Sequence, residues 1–228
     1  MTQQPSYYRT VRAQGEAEIV VKRSRFIGHA KRVETEAEAV AFIEAIRSRH
    51  KQATHHCYAY VTVTDGSVPC QKASDDGEPS GTAGKPILDV IRHQQLEHVA
   101  IVVTRYYGGT MLGAGGLIRA YTEGATVGLA AAGVVFCVLH VPLTVTVDYS
   151  WFGKLENELR AQAIMFDQVE FTNQVTLRCL PLAAEAERVR LWLTDLTAAQ
   201  AQIEVMSALY LEMTQFHGGE RITYEQTE

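Results

Sequence analysis

Apolar residues recur along this chain with two periods, and the switches between them separate strands from helices. Val99–Val103 is an unbroken apolar run, rich in β-branched residues and of the length expected for a buried strand. Glu16–Lys22 and Phe26–Val33 predict two shorter strands. Thr54–Thr64 predicts another, whose alternation sets His55, Cys57, Ala59 and Val61 on one face and His56, Tyr58, Tyr60 and Thr62 on the other. Ala39, Phe42, Ile43 and Ile46 recur at helical spacing behind Thr35–Glu38, a capping box, and Arg47, Arg49 and Lys51 put positive charge where the helix dipole favours it. Ile87, Val90 and Ile91 predict a second helix with Pro86 in its first turn. Leu117, Ala120, Tyr121, Gly124, Ala125 and Gly128 form the small-residue stripe of a third.

Beyond Gly133 the pattern gives a strand (Leu139–Val147), a helix (Trp151–Gln162), two strands (Met165–Phe171 and Gln174–Leu180), a helix (Ala183–Leu196) and a strand (Ile203–Leu209), with Gln215–Glu228 as a polar tail. That βαββαβ order predicts a ferredoxin-like split βαβ domain. The expectation is an α/β (α+β) chain of two domains, residues 1–136 and 137–228, which its 228 residues accommodate.

Composition narrows the setting. The apolar fraction is 46% and the charged fraction 21%, an ordinary globular balance. Cys57, Cys70, Cys137 and Cys179 are scattered without paired spacing, which fits a reducing compartment and predicts neither disulfide nor structural metal. The N-terminus lacks the apolar segment of a signal peptide, and no run reaches membrane-spanning length, so a cytoplasmic protein without membrane contact is expected. Net charge is −5, unevenly spread: 15 Lys/Arg against 13 Asp/Glu up to Phe136, and 6 against 13 beyond it. An acidic whole argues against indiscriminate nucleic-acid coating and leaves room for a local basic face on the first half.

Candidate chemistry lies at the end of the Val99–Val103 strand. Arg105, Tyr106 and Tyr107 lead into a loop with Gly108, Gly109, Gly113, Gly115 and Gly116, and Arg119 follows about one turn into the helix. Strand, glycine loop and helix together aim backbone N–H groups at an anion. The loop is neither a P-loop, having no Gly-Lys-Ser/Thr, nor a dinucleotide fingerprint, because Ile118 stands at the third glycine position. Lys85 repeats the situation of Arg119, a cation beside a helix start, where the dipole costs it about 0.3–1 kcal/mol. Each calls for negative charge close by, from a ligand phosphate or from an internal carboxylate. Asp75, Asp76 and Glu78, in the loop Ser74–Pro86, supply the internal option by pairing with Lys85, Arg105 and Arg119; alternatively they hold Mg²⁺ through oxygen ligands. His55 and Cys57 share a face, but two donors from one strand are weak grounds for a soft metal. Lys22-Arg23-Ser24-Arg25 and Lys31-Arg32 gather further cations at strand ends, where they also discourage edge-to-edge aggregation.

Lys22–Ile27, Ala53–Tyr60, Ser74–Pro86 and above all Arg105–Tyr121 resemble the signatures of the IMPACT family, in order and across nearly all of the first half. The second half resembles the small accessory domain carried by bacterial members. Met111 departs from the pattern, since many relatives have lysine there. The resemblance implies a first domain like the second domain of ribosomal protein S-five and a second like domain V of elongation factor G. It also implies a setting in translation, because the eukaryotic namesake restrains a kinase that phosphorylates an initiation factor; bacteria lack that pathway.

Three functions follow. The first is a non-catalytic, translation-associated regulator that grips RNA or the ribosome with Lys22, Arg25, Lys85, Arg105 and Arg119 while Tyr106 or Tyr107 stacks a base, and that needs no cofactor. The second is an enzyme acting on a phosphorylated small molecule or nucleotide, weakened by the lack of a visible nucleophile–base pair. The third is a protein-interaction scaffold using the same surface.

Overall fold

The computed structural model describes residues 5–63 and 69–216. Its elements run β1 (Tyr7–Val11), β2 (Gly15–Val21), β3 (Ser24–Arg32), α1 (Glu36–Arg49), β4 (His55–Thr62), β5 (Cys70–Ser74), α2 (Gly84–His93), β6 (Val99–Tyr106), α3 (Ala114–Ala132), β7 (Val134–His140), β8 (Leu143–Val147), α4 (Tyr149–Ala161), β9 (Phe166–Phe171), β10 (Val175–Cys179), a 3₁₀ turn (Ala183–Glu185), α5 (Ala186–Leu196), β11 (Gln202–Val205) and β12 (Leu209–Met213). Two compact units result, one built on Tyr8–Val135 and the other on residues 136–216 with Pro5–Tyr7.

The first unit is built on a five-stranded sheet of order β2-β3-β6-β4-β5, every pairing antiparallel. β6 is central and buried from Val99 to Arg105, as its unbroken apolar run requires. Its alternation serves two cores. Val99, Ile101 and Val103 meet α2 and α3 with Phe26, Ala30, Cys57 and Ala59, whereas Ala100 and Val102 meet α1 with Tyr60, Phe42 and Ile46. Thr35 caps α1 by accepting the Glu38 N–H at 3.2 Å, and Glu38 reaches back to the Glu34 N–H at 2.9 Å. α3 lies almost in backbone contact with β3. A Cβ on Gly28 would stand 1.9 Å from the Gly124 carbonyl oxygen, and one on Gly128 would stand 2.7 Å from the Gly28 carbonyl carbon. Gly133, at φ +72°, ends α3 by donating back to Leu129 and Ala130.

The second unit has a four-stranded sheet of order β11-β8-β10-β9, again antiparallel throughout. Leu155 and Leu159 of α4 and Val189 and Leu193 of α5 pack on Leu143, Val145, Val147, Val175 and Leu177. β7 and β12 pair antiparallel beside it, from Leu209 opposite His140 to Met213 opposite Phe136.

The expected strand Leu139–Val147 is two strands. Pro142 has no N–H to give a ladder, so pairing stops between His140 and Leu143 and the chain changes sheets. The expected strand Ile203–Leu209 likewise divides into β11 and β12. β1 and β5 had no counterpart in the pattern. Residues 217–228 of the expected polar tail lie outside the described residues.

Candidate anion-binding surface

The acidic loop after β5 turns inward. Asp75 accepts backbone N–H groups from Gly81 (2.8 Å), Ala83 (3.0 Å) and Gly84 (2.8 Å), and so supplies the start of α2 with the anion its dipole favours. Burial alone would raise the Asp75 carboxyl; the three N–H donors outweigh it and hold the carboxyl below its usual range. Asp76 accepts the His56 backbone N–H at 2.7 Å and pairs with Arg47 at 3.0 Å. Glu78 is buried and receives Arg105 Nη1 at 2.6 Å and the Tyr121 hydroxyl at 2.8 Å. Arg105 is enclosed in turn, its guanidinium carbon 5.3 Å from the ring centres of both Phe26 and Tyr107.

These contacts correct the expected pairing. Of the anticipated links from Asp75, Asp76 and Glu78 to Lys85, Arg105 and Arg119, only Glu78–Arg105 forms. Lys85 meets Asp89 one turn along its own helix, at 2.6 Å, and remains exposed. The three carboxylates face three separate sets of donors and do not converge as Mg²⁺ ligands. At Arg105 and at the start of α2 the place anticipated for an external anion is taken by internal carboxylates, those of Glu78 and Asp75. His55 Nδ1 meets the Asp76 carbonyl at 2.8 Å, and Cys57 donates to the Asp75 carbonyl at 2.9 Å. Burial pushes the Cys57 thiol far above its usual range.

The outer surface differs. Val21 and Ser24 are paired, so Lys22 and Arg23 form a two-residue hairpin turn between β2 and β3. Both have positive φ, +46° and +70°, as in a type I′ turn. Such turns favour Asn and Gly; two long cationic side chains there are strained. The turn touches the glycine loop. Ser24 Oγ accepts the Gly108 N–H at 3.1 Å, and a Cβ on Gly108 would stand 2.1 Å from the Arg23 carbonyl oxygen. Gly109 and Gly113 have φ of +79° and +71° and open space around them. Gly113 opens α3 without a side-chain cap, and Gly115 and Gly116 lie in its first turn. Lys22, Arg23 and Arg119 are exposed and make no ion pair among the described residues. Arg25 is exposed but forked onto Glu18 at 2.9 and 2.7 Å. Tyr107 and Met111 are exposed; Tyr106 is half-buried, with its hydroxyl 2.9 Å from His50 Nδ1. Arg23 is absent from the candidates the sequence supplied, because a hairpin tip cannot be told from the rest of a basic run.

A second polar group lies on the opposite face of the sheet, past the end of α1. His29 is fully buried beside His50 and Glu16, and burial holds its imidazole down at about 4. Burial also lowers His50 and His56.

No described helix is long and apolar enough to cross a membrane. The four cysteines are free, three of them buried and Cys70 exposed.

Known proteins carry both halves of this arrangement. The model of the Impact N-terminal domain matches residues 22–129, and that of a domain of unknown function (DUF1949) matches residues 145–200. IMPACT family member YvyE of Bacillus subtilis is 43% identical over 210 residues, covering 92% of this chain and 96% of the relative. The Thermus thermophilus IMPACT family member in pol 5′ region is 35% identical over 186 residues, covering 81% of this chain and 99% of its own. A crystal structure described as that of a hypothetical protein superposes with TM-score 0.56 at 30% identity, covering 90% of this chain and 99% of that one.

Proposed function

This chain belongs to the IMPACT family, and on that premise we propose that it is a non-catalytic, translation-associated regulator. It binds RNA or the ribosome through the β2–β3 hairpin tip and the glycine loop. One observation carries the reading: Lys22 and Arg23 hold a left-handed turn that costs them stability, and Arg23 touches the loop from which α3 starts uncapped. Strain of this kind persists where a function needs the side chains displayed. Arg119 and the free N–H groups of the first turn of α3 extend the surface, and exposed Tyr107 offers a face for base stacking. The acidic second half limits contact to this patch. The cytoplasm, where free thiols persist, is the fitting compartment.

The domain identities belong to the same proposal. The order β11-β8-β10-β9 within a βαββαβ sequence supports a ferredoxin-like second domain of the elongation factor G domain V kind. In the first, β3-α1-β4 and β5-α2-β6 each join parallel strands across an intervening one, which supports likeness to the second domain of ribosomal protein S-five.

Fluorescence anisotropy with a short single-stranded RNA tests the reading. Arg119→Ala should weaken binding and reduce the slope of log affinity against log salt by about 0.7, the value for one lost phosphate contact. Stability should change by less than about 0.5 kcal/mol, as for other exposed sites. Unchanged affinity and slope would remove Arg119 from the surface. A pull-down that keeps its partners after RNase would point instead to protein contacts.

A further inference from the structure

Three acceptors surround one guanidinium where the end of α1 meets the sheet. Glu16 and His29 are cross-strand neighbours on β2 and β3, and His50 directly follows α1. Arg49 Nη2 donates to Glu16 Oε2 and, at 3.0 Å, to His29 Nδ1; Arg49 Nε donates to His50 Nε2 at 3.2 Å. A guanidinium has donors only, so His29 Nδ1 and His50 Nε2 each turn a lone pair inward. The hydrogen-bond pattern therefore assigns both tautomers. His50 directs its outer Nδ1–H to the Tyr106 hydroxyl, as metal-bound histidines direct theirs to a fixed neighbour. His29 is fully buried, and its Nε2 has no hydrogen-bond partner among the described residues.

Glu16, His29 and His50 can each offer one ligand atom within 4.8 Å of the others, the one such group of three His, Cys, Asp or Glu residues found among the described residues. Glu16 Oε2 and His29 Nδ1 are 3.3 Å apart. Tetrahedral zinc, with bonds of about 2.0–2.1 Å, separates its ligand atoms by about 3.3 Å, so this pair needs no movement. We propose that Glu16, His29 and His50 form a site for a divalent transition metal of the zinc class, which binds by displacing the Arg49 side chain. Two imidazoles and a carboxylate suit Zn²⁺, Co²⁺, Ni²⁺ or Fe²⁺ rather than Mg²⁺ or Ca²⁺, and they leave positions open for water. Arg49 and Glu16 are about half exposed, which provides the way in. With Arg49 as the resident cation, the fold stands without the metal, and metal exchanges one positive group for another. Glu16, His29 and His50 lie outside both the hairpin tip, Lys22 and Arg23, and the glycine loop.

The test uses the full chain, stripped with chelator, titrated with Zn²⁺ by calorimetry and with Co²⁺ by its d–d absorption. One ion per chain is expected, and Arg49→Ala should bind at least tenfold more tightly because the competing cation is gone. Glu16→Gln and His50→Gln should each weaken binding at least tenfold. They replace His29→Gln as the decisive variants, since a fully buried substitution can disturb the fold. Failure of both the wild type and Arg49→Ala to bind with Kd below about 0.1 mM would overturn the proposal. So would binding that is unaffected in Glu16→Gln and His50→Gln, which would put the ion elsewhere.

Discussion

Replacing Arg105 with alanine should destabilise the protein by about 3–5 kcal/mol, the usual result of stranding one member of a buried ion pair. Glu78 would keep its Tyr121 hydrogen bond but lose its ion pair with Arg105, and its carboxylate would stay buried. Arg105 also links β6 to the start of β3 through Ser24, at 3.4 Å, so the loss reaches the hairpin. Chemical denaturation measures it. Arg105→Met combined with Glu78→Gln should recover much of the stability, because uncharged partners leave no orphaned charge. A double variant no better than Arg105→Ala would mean that packing, not charge, is what Arg105 provides.

Gly28→Ala should be comparably damaging, at about 3 kcal/mol or more. The new methyl would stand 1.9 Å from a carbonyl oxygen of α3, and that obstacle is backbone, which no rotamer change removes. Either α3 lifts from the sheet along Gly124 and Gly128, or β3 buckles. Gly109→Ala is the matched control. Its methyl meets nothing, so only the positive φ of +79° is penalised, by about 1 kcal/mol. Equal denaturation midpoints for the two variants would contradict close helix–sheet contact as the reason for glycine at position 28.

That contact was legible in part. The small-residue stripe Gly124, Ala125 and Gly128 marks a helix lying against something flat, and the β6 run marks a central strand. The cap at Thr35 and the two faces of β4 were readable for the same reason: their signals are local. β5 was not, because Cys70–Ser74 is an edge strand with four of five residues exposed, and its sequence carries no alternation. The site was half legible. Side-chain charges suggested that the carboxylates of the acidic loop answer nearby cations, and two do: Glu78 answers Arg105, as expected, and Asp76 answers Arg47, which was not among the expected partners. Asp75 answers backbone N–H groups instead, which no count of charged residues reveals. Arg23 owes its interest to a left-handed backbone angle, and Glu16, His29 and His50 meet only after three elements have folded together.

On the proposed function, the strained hairpin tip is kept for its cations. Changing Lys22 to Asn and Arg23 to Gly together supplies the residues that a type I′ turn favours and removes both charges. Melting temperature and RNA affinity, measured on this one double variant, should move in opposite directions. Stability should rise by about 1 kcal/mol or more for each relieved residue, while affinity falls and the salt slope drops by about 0.7 per lost phosphate contact. A variant that melts higher and binds RNA as tightly as the wild type, with the same salt slope, would contradict the account.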